Sequence, residues 1–232
     1  LEGLHGPVSQ ILVQLTDGLS SSDWDYSEIE YHRDAFFQAM MFPSRPGLTP
    51  VSIVQATAEA FEGAPRLAVD AGAHMFSAVA FWPASLPHDV LISNGLATMA
   101  FALPAAVAAA MHDPERGAVA MTGDGGLMMC MGELVTAAQQ NANLTVIVFN
   151  DGALSLIDIK RQEIQLPDLG FTWNRPDFAT AAKGLGLDAW RVGSMDELMS
   201  ALVSAADHKG ASLIDVVLDP DGYLEQMRAL RG

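Results

Sequence analysis

Asp124 stands among glycines, in Gly123-Asp124-Gly125-Gly126, directly after the apolar stretch 117–122. Asp151 stands 27 positions further on, in Asn150-Asp151-Gly152, directly after the unbroken apolar run LTVIVFN. A carboxylate at such a place has no core to join, and glycines let another group come close to the backbone. Two aspartates brought together repel each other unless a cation lies between them. A hard divalent ion such as Mg²⁺ suits that place, because it takes carboxylate, carbonyl and phosphate oxygens. Backbone N–H groups at the start of a helix take an anion. The pattern points to a metal bridging protein carboxylates to a phosphorylated ligand. The plainer reading of GDGG is a turn between strand and helix. The dinucleotide fingerprint G-x-G-x-x-G is absent from this stretch, as is the Walker A pattern. A phosphotransferase would need a lysine or arginine near the glycines, and none lies between Gly117 and Thr145.

The elements that must position these residues alternate along the chain. Thr49-Pro50 is a cap followed by proline at the first helical position, opening a helix that should run to about Phe61 and stop near Gly63. Short strands are expected over 66–70 and 89–93, and an alanine-rich helix over 96–111, with Pro104 as a kink or as the start of its longer part. A strand over 117–122, a helix over 131–140 and a strand over Leu144–Asn150 follow. Ser194 with Glu197 forms a capping box for a helix to about Ala206, and 212–218 is the last strand. The pattern predicts an α/β fold, a doubly wound parallel sheet with helices on both faces. Ligands bind beyond the carboxyl ends of such strands. One helix separates the strands before Asp124 and Asp151, so a right-handed crossover can set them side by side.

Residues 1–47 read differently: an amphipathic helix over 8–19, an acidic linker with aromatics, a second helix, and PSRPG at 43–47. With 28 acidic and 12 basic residues the net charge is −16, which argues against nucleic acid or an anionic membrane as partner. The single cysteine, Cys130, excludes an internal disulfide and fits a small buried hydrophobe. The longest uncharged apolar run, around 101–111, is too short to span a membrane. No signal peptide is visible, which implies a cytoplasmic protein.

GDG, followed by an apolar strand ending in an Asn pair, is the signature of thiamine diphosphate enzymes, and here it reads Gly123-Asp124-Gly125 to Asn150-Asp151. VDAGAH (69–74), SNGLATMAFALPAAVAAA (93–110) and GELVTAAQ (132–139) add to the match. Over about residues 48–220 the chain resembles the C-terminal, diphosphate-binding domain of the acetolactate synthase-like group, which includes glyoxylate carboligase and benzoylformate decarboxylase. Residues 1–47 resemble the end of the central domain and linker of those enzymes, leaving 48–232 as the cofactor domain.

The resemblance implies that the Asp124 and Asp151 side chains and the Ala153 carbonyl hold Mg²⁺. The family usually has Asn where Asp151 stands. Gly123, Gly125, Gly126 and the turn through Asp151, Ala153, Leu154, Ser155 and Leu156 would line the diphosphate, with Gly72, Ala73 and His74 on the other side. His74 would bond a phosphate or serve as a plain structural histidine. Met99 matches the apolar residue that bends the cofactor, and the Ala97 carbonyl would accept a hydrogen bond from the aminopyrimidine, at a position where the family usually has glycine. The implied chemistry is decarboxylation of a 2-oxo acid, carboligation, or both; the alternative is a non-catalytic, cofactor-free domain acting only in assembly, against which the intact Asp124, Asp151 and glycines argue.

A glutamate from a separate pyrimidine-binding domain completes the family's site, and no such domain is recognisable here. Glu59, Glu62, Glu133 and Glu163 fall within this domain's own helices and turns. The chain would thus be a piece of a longer product or one subunit of a split enzyme, acting in a homodimer or tetramer. Any FAD of the complete enzyme would bind outside this segment. Lys160 stands where acetohydroxyacid synthases usually show a tryptophan, and the glutamate some decarboxylases carry near Ile157 is absent. The 2-oxo acid is therefore left open.

Overall fold

A computed structural model describes residues 6–16, 19–41, 47–168 and 170–231. Residues 17 and 18 of the first predicted helix, and 43–46 of the predicted PSRPG linker, lie outside them. The chain divides into two compact units, residues 1–36 and 37–232. The first carries α1 (Val8–Thr16) and the opening turns of α2 (Tyr26–Met40). Asp25 starts α2 by accepting from the Ser27 N–H and hydroxyl, at 2.9 and 2.7 Å.

In the second unit β1 (Arg66–Val69), β2 (Val90–Ile92), β3 (Ala118–Gly123), β4 (Leu144–Asn150), β5 (Asp188–Val192) and β6 (Ala211–Val217) form one sheet in the order β2-β1-β3-β4-β6-β5. Every pairing is parallel. Parallel strands need a crossover, and helices supply it. Side chains alternate along each strand, so β4 sends Leu144, Val146 and Val148 into one core and Ile147 and Phe149 into the other. The first core is closed by α5 (Ala102–His112), α7 (Glu133–Gln139) and α9 (Phe178–Gly184) through Leu103, Ala106, Leu134, Phe178 and Ala182. The second is closed by α3 (Pro50–Ala60), α4 (His74–Phe81) and α10 (Met195–Asp207) through Ile53, Val54, Ala78, Leu198 and Leu202. The doubly wound parallel architecture expected from the sequence is the one observed. Two short helices flank the loop after β4 and close the chain: α8 (Ser155–Glu163) and α11 (Tyr223–Arg231).

Three local expectations need correction. The alanine-rich helix starts at Ala102, not near Leu96. Asp70 takes the N–H groups of Phe101 and Ala102 and fixes the start there. Pro104 therefore sits in the first turn, where its missing N–H costs nothing. The helix after β3 begins at Asp124, as α6 (Asp124–Cys130), and a turn separates it from α7. GDGG is thus a helix start rather than a free turn. At Ser194 only half of the capping box forms: Glu197 N–H donates to Ser194 Oγ at 3.3 Å, while the Glu197 carboxylate accepts from the Gly193 N–H at 2.8 Å. A complete capping box forms between Thr49 and Ser52, on either side of Pro50.

Candidate active site

β1, β3 and β4 are neighbours, and their carboxyl ends lead into VDAGAH, GDGG and Asn150-Asp151 in turn. The register sets Gly123 opposite Phe149, which brings Asp124 and Asp151 to one rim. Asp124 is buried, and three donors hold it. Gly125 N–H reaches Oδ1 at 2.8 Å, and Oδ2 accepts from Gly152 N–H at 2.8 Å and from the Trp173 indole at 3.1 Å. Burial raises its carboxyl above the ordinary value even so.

Asp151 accepts from Ala153 N–H at 3.1 Å and from the Ser155 hydroxyl at 2.6 Å. Burial, with the nearby Asp124 charge, pushes its carboxyl up to about 7. The loop between them is pinned from outside. Trp173 N–H donates to Gly152 O and Leu154 N–H donates to Phe171 O, both at 2.8 Å, with Ala153 bridged to Thr172. Gly152 takes a left-handed φ of 78°, and a Cβ there would meet the Trp173 carbonyl at 2.9 Å. α8 starts within the predicted turn, at Ser155.

These residues open on a cleft of about 210 Å³. All the residues expected to hold the cofactor or its metal line it: Gly72, Ala73, His74, Ala97, Met99, Gly123 to Gly126, Asp151 and Ala153 to Leu156. No lysine, arginine or glutamate is among its lining residues. Glu59, Glu62, Glu133 and Glu163 are therefore absent from it.

His74 is 4% exposed and stacks on Phe149 at 5.0 Å between ring centroids. Its Nε2 is buried with no hydrogen-bond partner. Burial lowers its pKa to about 4, so the ring is neutral at pH 7. Ala97 and Ala100 both hold left-handed backbone, with φ of 48° and 60°. Such conformations are costly for residues with a Cβ and collect at functional sites.

Four contributors were not foreseen. Asp70 lies inside the quoted VDAGAH, but its carboxylate was given no task. Phe149 read only as an apolar strand residue. Trp173 and Tyr223 come from segments with no local signal; Tyr223 is buried and lines the cleft. A larger cleft of about 960 Å³ lies across the 151–155 loop and shares Asp151, Ala153, Ser155 and Tyr223 with the first. The glycine walls and Asp124 face the smaller one. Among the described residues no three His, Cys, Asp or Glu side chains gather into a metal-holding group, so the aspartates stand as a pair.

The fold is that of doubly wound α/β domains that take ligands at the ends of their strands. Residues 70–216 match the model of the thiamine pyrophosphate enzyme, C-terminal TPP binding domain, and the chain belongs to that family. It is 26% identical over 213 residues to the acetolactate synthase isozyme 1 large subunit of Escherichia coli, covering 90% of this chain and 37% of that protein. It is 30% identical over 172 residues to the catabolic acetolactate synthase of Raoultella terrigena, covering 74% of this chain and 31% of that protein. Acetolactate synthase 1, chloroplastic, of Oryza sativa matches at 27% over 238 residues, covering 94% and 35%. The chain thus spans about a third of the length of these relatives.

Proposed function

We propose that this chain forms the diphosphate-binding half of an active site that uses thiamine diphosphate and Mg²⁺. The complete enzyme would decarboxylate a 2-oxo acid, join the remaining acyl fragment to a second carbonyl in the manner of acetolactate synthase, or do both. The observation that carries this reading is the meeting of Asp124 and Asp151 at adjacent strand ends, over a glycine-walled cleft inside the matched region.

The residues present fit the group. The buried Asp124 and the half-buried Asp151 face a cleft whose lining has no lysine or arginine, and desolvation with the nearby Asp124 charge raises Asp151. A divalent cation would remove that penalty. The buried Nε2 of His74 lacks a partner, and with a proton on that nitrogen the ring would donate to a phosphate oxygen.

In this reading Asp124, Asp151 and the Ala153 carbonyl hold Mg²⁺. Gly72, Ala73, Gly123, Gly125, Gly126, Leu154, Ser155 and Leu156 surround the diphosphate, and His74 donates to it. Met99 would support the cofactor's rings, and the Ala97 carbonyl would accept from the aminopyrimidine. When bound, thiamine diphosphate supplies the electron sink for breaking the bond to the substrate carboxyl. The chain's own residues orient it and keep water from its charged end. A pyrimidine-binding domain, from the rest of the same product or from a partner chain, would supply the missing glutamate. The assembly would be a homodimer or tetramer. Any flavin would sit outside this segment.

Calorimetric titration of thiamine diphosphate, with Mg²⁺ and with EDTA, tests the reading. Binding is expected only with Mg²⁺, and Asp124→Ala should abolish it. Undiminished Mg²⁺-dependent binding by that variant would overturn the assignment.

A further inference from the structure

We infer that Asp70 is a positioning residue: its single carboxylate fixes the strained turn that carries Ala97 and Met99 and locks that turn to the start of the GDGG helix. The role assigned to the turn rests on the function proposed above, whereas the grip on it does not.

Asp70 follows β1 at the sheet's carboxyl rim and is 1% exposed. Its own N–H donates to Met121 O at 3.0 Å, which fixes its place against β3. Four donors then converge on the carboxylate. Oδ1 accepts from Phe101 N–H at 2.7 Å and Ala102 N–H at 2.6 Å. Oδ2 accepts from Ala100 N–H at 3.1 Å and the Thr122 hydroxyl at 2.6 Å. The partners come from the Met99 turn, from α5 and from β3. A helix cap needs only the α5 donors. The bond to Ala100 instead holds a residue in left-handed backbone, two positions before the helix starts. Strained backbone persists only where its surroundings over-determine it. Here Ala97 N–H donates to Ser93 O at 2.9 Å, and Asp70 secures the other end.

The same carboxylate explains the last glycine of GDGG. A Cβ on Gly126 would overlap Asp70 Oδ2 and lie 2.8 Å from Thr122 Oγ. Gly126 is thus compelled by Asp70, and not by its own backbone angle. One buried group thus fixes both the Met99 turn and the approach of α6, which both line the cleft.

Asp70→Asn separates the two tasks. Its remaining oxygen can keep Phe101 and Ala102, so α5 stays capped. Its amide can donate to Thr122 Oγ, whose proton then turns to Gly123 O, 3.1 Å away. Only Ala100 is left facing a donor. Amide hydrogen exchange, read residue by residue on the whole chain, should show Ala100 exchanging at least about tenfold faster. Amides of β3 and β4 should keep their rates. Thr122→Val, which disturbs the same pocket but spares the carboxylate, should leave Ala100 within about twofold of the parent. Unchanged exchange at Ala100 in Asp70→Asn, or equal loosening of the whole sheet, would overturn the inference.

The ligand arm uses two probes, inorganic pyrophosphate with Mg²⁺ and thiamine diphosphate with Mg²⁺. Asp70→Asn should keep pyrophosphate affinity within about threefold and lose about tenfold toward thiamine diphosphate, since one lost hydrogen bond is of that order. Equal loss of both ligands would make Asp70 a general structural residue and sink the idea. If the unaltered chain binds neither probe, the proposed function falls, while Ala100 exchange still decides what Asp70 holds.

Discussion

Asp124 and Trp173 form a pair that only the fold could bring together. The indole N–H reaches Asp124 Oδ2 from a segment 49 residues away, which is itself tied to the Asp151 loop. A hydrogen bond to a charged group is worth about 1.5–3 kcal/mol. Trp173→Phe keeps the ring and removes the donor, so Mg²⁺-dependent cofactor binding should weaken by about tenfold or more, by the same calorimetric titration. His74 makes a prediction about pH. The folded protein keeps it neutral down to about 4, whereas the unfolded chain takes a proton near 6.5. Its contribution to stability is complete above that upper value and is lost as pH falls toward the lower one, because the unfolded state then binds the extra proton. The slope from this group is about 1.4 kcal/mol per pH unit. His74→Phe, which retains a ring against Phe149, should remove that part of the slope from denaturation curves taken between the two values.

At the scale of elements, the site is a matter of how closely α6 approaches β1. Gly126→Ala would push a methyl group into Asp70 and Thr122, and neither can yield without giving up a bond. The expected cost is about 1–3 kcal/mol of folding stability, by urea denaturation. Sequence reasoning found the elements whose signal is local. β1, β3, β4 and β6 are apolar runs buried on both faces, and α3 announces itself with Thr49-Pro50. β5 went unseen because it is an edge strand: Asp188 and Arg191 are exposed and interrupt the apolar pattern. α4 and α9 are too short to show a period. The start of α5 was misplaced because what sets it is Asp70, thirty-odd residues upstream. Local readings detect caps a few positions away and nothing more distant. That the aspartates and glycines gather at one cleft was legible because their places depend on spacing within single strand-to-helix turns. Asp70 and Trp173 were not, because each acts across the fold.

At the scale of the molecule, the cleft has a cation-hungry floor and no glutamate in its lining. The chain spans about a third of each relative, and on the function proposed above the rest of the site would come from a pyrimidine-binding domain. The expected outcome is that this chain, given thiamine diphosphate, Mg²⁺ and a panel of 2-oxo acids, releases no carbon dioxide above the cofactor alone. Adding the pyrimidine-binding segment should restore release, and turnover by the chain alone would remove the need for that partner. No helix among the described residues is long and apolar enough to cross a membrane.

The sheet's two margins have a consequence for assembly. β2 offers only three residues to a newcomer, and β5 opens on the exposed, charged Asp188. Short margins and exposed charge both discourage a further strand from adding. Fibre-like growth by strand addition is thereby disfavoured at either end, and copies that associate are steered to meet through helices and loops.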